Sequence, residues 1–161
     1  MTDDHNRLTI RTAVELDLTT FRELFRDTVL AIDLKYYSIS QLQAWASVWE
    51  NEERWRQKFR LQHFFVAEEG GHIVGFSSLS DSGYLDLFYV HRNYQGQGVA
   101  TLLLDTTEAW AKQNLINLLT TESSKSAYAF FIRHDFTMVN TQTVKVNGVF
   151  MDNFILQKKL E

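Results

Sequence analysis

Residues Tyr84 to Asp105 read YLDLFYVHRNYQGQGVATLLLD. An apolar run ends at Val90, two glycines bracket Gln97, and an amphipathic pattern starts at Val99. Glycine is entropically unfavourable at a helix start, so this junction calls for bare backbone. The first four N–H groups of a helix lack internal partners, and the helix dipole places partial positive charge beside them. An anion fits such a place, and phosphates are frequent occupants. Gly96 and Gly98 carry no Cβ to block its approach, and Ala100 is small. The stretch reads as strand, pyrophosphate cradle and helix. It is not a Walker loop, because no Gly-Lys-Ser/Thr ends it. It is not the dinucleotide fingerprint, because Thr101 stands where a third small residue belongs. An ordinary strand-to-helix turn with two glycines has the same spacing, so the motif alone leaves both readings open.

Working outward, Leu8 to Arg11 reads as a first strand. Asp17 is placed to cap a helix whose apolar residues Leu18, Phe21, Phe25, Val29 and Ile32 recur at helical spacing. Ser38 followed by Gln41 makes a capping box for a second helix, and NEERWRQKFR continues it or forms a third. FFVAEE and HIVGFSSLS flank Gly70-Gly71 as a hairpin, and Asp81-Ser82-Gly83 turns the chain into Tyr84–Val90. Val99 to Asn114 carries one apolar stripe. Ile116 to Thr121 is a short strand, Ser126 to His134 a helix, and Asn147-Gly148 joins a final hairpin. A meander followed by a strand–helix–strand crossover predicts a mixed, mostly antiparallel α/β sheet with helices on both faces.

The 161 residues fit one domain, 1–161, and their 45% hydrophobic and 14% aromatic content is enough for a full core. A net charge of −4 without a basic run argues against nucleic-acid binding. Cysteine is absent, which excludes disulfides and thiolate metal sites and is compatible with a reducing cytoplasm. The five histidines have no ligand spacing, so no metal is expected. The opening MTDDHNRLTIR has no apolar signal-peptide region, and no run is long enough to span a bilayer.

The segment Val90-His91-Arg92-Asn93-Tyr94-Gln95-Gly96-Gln97-Gly98-Val99-Ala100 resembles the signature of the GNAT superfamily of acetyl-CoA-dependent N-acyltransferases. Gln95, Gly98 and Ala100 fill the signature positions, and Arg92 replaces a common proline. IRTAVELDL near the start, Ala127, Phe130, Phe131 and Phe136 later, and VFMDNFILQKKL at the end extend the likeness over most of the chain. SISQLQAWA also resembles a subgroup of bacterial members. The resemblance implies acetyl-CoA as co-substrate, entering a gap between two splayed parallel strands, Tyr84–Val90 and Ile116–Thr121. The backbone of Phe88, Tyr89 and Val90 would bond the pantetheine arm. Gly96, Gln97, Gly98, Val99, Ala100 and Thr101 would hold the pyrophosphate, with Gln95 at its edge. The acceptor would be a primary amine of a small molecule or peptide, with Tyr37 and Trp45 among the residues that meet it. The last hairpin would suit pairing across a two-fold axis in a homodimer.

Acetyl transfer to an amine needs a base, directly or through water. Asp86 and Glu122 are the candidates. Asp86 interrupts an apolar strand, where an acid must be paired or used, and strict alternation puts it on one face with Tyr84, Phe88 and Val90. A salt bridge accounts for Asp86 equally well, and a helix N-terminal acid for Glu122. The family's usual acid, a tyrosine, matches Phe131, which donates no proton. Tyr128, three residues earlier on the same helix face, is the substitute; otherwise the thiolate leaves unassisted. Asp135 also replaces a usual glycine, and Ser124 a common asparagine. These departures leave an inactive acyl-CoA-binding module as the alternative to an enzyme.

Overall fold

The computed structural model describes residues 7–161. The first six residues of the polar opening segment lie outside the described residues. Seven strands form one sheet in the order β1-β2-β3-β4-β5-β7-β6. They are β1 (Leu8–Thr12), β2 (Gln62–Glu69), β3 (His72–Ser80), β4 (Tyr84–Val90), β5 (Leu118–Ser123), β6 (Thr137–Val146) and β7 (Val149–Lys159). Every neighbouring pair is antiparallel except β4 and β5. Helices α1 (Leu18–Leu30), α2 (Ile39–Ala46) and α3 (Glu52–Leu61) cover one face. On the other face lie α4 (Val99–Gln113) and α5 (Tyr128–Arg133). No helix of the described residues is long and apolar enough to cross a membrane.

Alternation along β2 divides the core between the faces. Phe64 and Val66 pack under α1 with Phe21 and Phe76, while Phe65 and Ala67 pack under α4 with Leu103. Ser38 and Gln41 form the expected capping box, and Asn51 caps α3 by accepting from the Arg54 N–H at 3.2 Å. α3 is thus separate from α2, with a 3-10 turn at Ser47–Glu50 between them. Asp17 does not cap α1 with its side chain. Its carboxylate takes the Arg11 guanidinium in a fork at 2.8 and 2.9 Å and accepts the Val14 N–H at 2.8 Å. The Arg11 partner draws the Asp17 pKa below its ordinary value, against the opposing effect of burial.

Two boundaries differ from the sequence reading. β5 starts at Leu118 rather than Ile116, because the preceding residues close α4 in a Schellman turn. Ile116 N–H bonds Ala111 C=O at 2.9 Å and Leu115 N–H bonds Lys112 C=O at 3.2 Å, with Leu115 at φ 61. The shift places Glu122 inside the strand instead of at its end. α5 is likewise shorter than expected and closes in the same motif, with Asp135 at φ 70 where the resembled family carries glycine.

The strict alternation expected for β4 is also broken. Ser78 pairs with Leu87 but Leu79 pairs with Leu85, so Asp86 is the extra residue of a β-bulge. The extra residue reverses the faces beyond it. Asp86 therefore shares its side with Tyr84, Leu87 and Tyr89, while Phe88 and Val90 face α4 and α5.

Candidate active site

β4 and β5 pair only at Tyr84–Thr120 and Leu85–Thr121; beyond these the strands part. His91 N–H bonds Val74 C=O at 2.8 Å, which sets the phase of the β3–β4 ladder. The antiparallel alternation then turns the N–H and C=O of Phe88 and Val90 away from β3, into the gap. The Val90 carbonyl is met there by Gln95 Nε2 at 3.0 Å.

The gap opens into a cleft of about 730 Å³. Phe88, Tyr89 and Val90 form one wall, Gln95, Gly96, Gly98, Ala100 and Thr101 the end, and Phe130 and His134 the opposite wall. Gly96 and Gly98 sit at φ 74 and 86, where a side chain is strained, and a Cβ on either would meet nothing within 4 Å. Gly98 is the N-cap of α4 and no side chain caps the helix. The first-turn N–H groups thus face an open, Cβ-free concavity that suits a phosphate. Arg92 and Arg133 line the same cleft. His134 spans it from behind, with Nδ1 2.8 Å from Phe130 C=O and Nε2 3.2 Å from Thr101 Oγ1. A carbonyl only accepts, so Nδ1 holds the proton and, in the neutral ring, Nε2 accepts from the threonine.

A second cavity of about 380 Å³ adjoins the first. Trp45, Tyr89 and Ser124 line both, and so mark the junction. Asp86 and Glu122 both line this second cavity, but in different states. Asp86 is committed: Lys58 Nζ contacts its Oδ2, and Gln62 Nε2 donates to the same oxygen at 2.9 Å. Glu122 is exposed and forms no ion pair among the described residues. Tyr84 stands between them, and burial together with the carboxylates of Glu122 and Asp86 raises its phenol above the ordinary value. Burial also raises Tyr89, reinforced by Asp86.

Other expected site residues lie elsewhere. Tyr128 packs against Phe154 with ring centroids 4.8 Å apart and planes tilted by 55°, and lines neither cavity. Phe131 is buried under the sheet at 3% exposure. Val99 is buried beneath α4, and the Gln97 side chain turns back to Asn93 C=O at 3.1 Å, which leaves only their backbone to the cradle. Tyr37 lines the second cavity, but its hydroxyl donates to Asp152 C=O at 2.8 Å and accepts the Lys125 N–H at 2.9 Å. Sequence reasoning noted Ser124 and Phe130 within the family likeness without giving them a place in the site, and it missed His134 and Trp55, which carry no motif of their own. It also missed the wall that Val144 to Asn147 contributes from the last hairpin.

The sheet parted at a bulged strand, with a glycine cradle at the end of the gap, defines an acyltransferase architecture. The profile of the Acetyltransferase (GNAT) domain family matches residues 33–157, and the chain belongs to that family. No functionally curated protein matches the sequence. The structure is similar to a GCN5-related N-acetyltransferase from Rhodopseudomonas palustris, at 29% identity and TM-score 0.91, over 94% of this chain and 95% of that one. It also resembles the PaiA N-acetyltransferase of Thermoplasma acidophilum in complex with coenzyme A, at 19% identity and TM-score 0.77, over 96% and 99%. YncA of Salmonella typhimurium with acetyl-CoA is similar at 22% identity and TM-score 0.65, over 96% and 95%. Among the described residues no cluster of His, Cys, Asp and Glu is arranged to hold a metal ion.

Proposed function

We propose that the protein transfers an acetyl group from acetyl-CoA to a primary amine by direct attack in a ternary complex. One observation carries this reading: a cleft and a second pocket meet at Trp45, Tyr89 and Ser124, beside the stretch of β4 that has left β5. The cleft suits the cofactor. Its uncapped helix end and bare glycines fit a pyrophosphate, and the unpaired Phe88 backbone and Val90 N–H fit an amide-bearing arm. The acceptor occupies the second pocket.

Bound acetyl-CoA supplies an activated thioester acetyl group. This chain supplies position first, since holding the amine against that carbon accounts for much of the rate. A free N–H of β4 at the gap polarises the carbonyl oxygen. Glu122 takes the ammonium proton, directly or through water. It is preferred to Asp86 because its carboxylate forms no ion pair, whereas Asp86 is held by Lys58 and Gln62. With Phe131 buried and Tyr128 outside both cavities, the thiolate leaves without a protein acid. The test is calorimetric titration with acetyl-CoA and CoA, followed by thiol release with an amine panel. Micromolar binding with amine-dependent release supports the reading. Binding without release on any amine leaves an inert acyl-CoA binder, and no binding by folded protein removes both.

A further inference from the structure

We infer that the acceptor pocket takes a small primary amine with a flat, apolar body, and not an amine embedded in a protein chain; this rests on the acetyl-transfer reading above. The first reason is the composition of its walls. Phe25 is ringed edge-on by Tyr89, Trp55 and Trp45, with centroids at 5.0, 5.3 and 6.5 Å. Such faces and edges match another aromatic ring. Trp55 has already given its indole N–H to Val48 C=O at 3.1 Å, so it offers the pocket only carbon surface. Of the charged groups in the wall, Lys58 and Asp86 neutralise each other, Lys145 lies over the Phe150 ring and Asp152 accepts from Thr143 Oγ1 at 2.6 Å. This leaves an exposed Arg54, and Glu122 to meet the ammonium.

The second reason is the wall formed by the β6–β7 hairpin. Asn147, in its turn at φ 44, donates Nδ2 to Ser47 Oγ at 2.6 Å and reaches Ala44 C=O at 3.4 Å. Gln41 Nε2 donates to Phe150 C=O at 3.0 Å, and the Tyr37 hydroxyl to Asp152 C=O at 2.8 Å. These ties run along α2 and its approach and latch the hairpin to it. An extended peptide binds by pairing with free strand carbonyls. Here the Phe150 and Asp152 carbonyls on this flank are already taken by Gln41 and Tyr37. The remaining volume of about 380 Å³ is at the lower end for small-ligand sites and accommodates one or two rings.

The test titrates 2-phenylethylamine, tryptamine, spermidine and a lysine-containing hexapeptide with a free N-terminus. Each is titrated into protein with and without saturating CoA, and steady-state acetylation is measured in parallel. The expected result is binding of both arylalkylamines and a kcat/KM for them at least tenfold above spermidine and the peptide. Trp45→Leu, at a half-buried position, should raise the arylalkylamine KM at least fivefold. Asn147→Ala should unlatch the hairpin and narrow the gap between peptide and small amine. A preference for spermidine or peptide, or no arylalkylamine binding in either titration, overturns the inference. Failure of the acetyl-transfer reading itself shows separately, as absent acetyl-CoA binding in the protein without amine.

Discussion

Gly83 and Gly98 share a backbone conformation but not an environment, and comparing their alanine variants separates fold from function. Their φ angles are 91 and 86, so alanine at either carries the left-handed penalty of about 1–2 kcal/mol. At Gly98 the added methyl meets nothing within 4 Å, and that penalty is the whole cost. At Gly83 it would stand 2.3 Å from Leu118 C=O and 2.9 Å from Ile116 Cγ2. The β5 backbone would have to retreat by about 1 Å to restore ordinary contact at 3.4 Å. That retreat strains the bond from Thr120 N–H to Gly83 C=O at 2.9 Å, beside the β4–β5 pair. Overpacking adds about 1–3 kcal/mol, giving roughly 3 kcal/mol in all. Urea unfolding should thus rank Gly83→Ala well below Gly98→Ala in stability. CoA titration should show the reverse sensitivity. The Gly98 methyl fills the concavity proposed for the pyrophosphate, and losing one charge-assisted hydrogen bond of about 1.5–3 kcal/mol weakens binding tenfold or more. Equal destabilisation by the two variants, or wild-type CoA affinity in Gly98→Ala, would refute the reasoning.

Glu122→Gln should lower kcat by about 10²–10⁴-fold with CoA affinity unchanged, as loss of the proposed general base requires; calorimetry and steady-state kinetics check both halves. Asp86→Asn should instead cost about 2 kcal/mol of stability, because Lys58, with a side chain only 19% exposed, loses its charged partner; chemical denaturation measures it. Asp17→Asn should be destabilising at neutral pH by an amount that shrinks in acid. The folded-state pKa of Asp17 lies below its ordinary 3.8, so its contribution is present above that value and is lost as pH falls through the folded pKa. Unfolding curves of both proteins across the acid range test the sign. Leu115→Gly should stabilise by about 1 kcal/mol, because a leucine 86% exposed at φ 61 contributes little packing and bears left-handed strain; a higher Tm is the readout.

The glycine junction was legible because only a few physical demands produce two glycines between a strand and a helix. Turn signals at Gly70-Gly71, Asp81-Ser82-Gly83 and Asn147-Gly148 likewise set three hairpins or turns, and both faces of the sheet followed from the order of elements. The bulge at Asp86 was not legible. A β-bulge depends on the register with β3, which lies in no local pattern, and so alternation put Phe88 and Val90 on the wrong face. The helix ends at Asn114 and His134 were read from the sequence, but the left-handed residues that follow them, Leu115 and Asp135, were hidden because neither is the glycine that normally announces such a turn. The second cavity was only partly legible. Trp45 and Tyr37 both line it, but Tyr37 spends its hydroxyl on ties to β7 and to Lys125, contacts separated from it by 115 and 88 residues.

The two register pairs between β4 and β5 make the sheet a pair of half-sheets joined by a short seam, β1–β4 on one side and β5–β7 on the other. Each half holds together by long antiparallel ladders, and much of what spans the seam is the packing of α4 and α5 beneath it. A ligand lying along the open part of that seam touches both halves at once and works as a mortar between them. Its binding should slow amide exchange in β5 and β7 as much as in β4, so that occupancy is read in the breathing of β7, a strand removed from the seam.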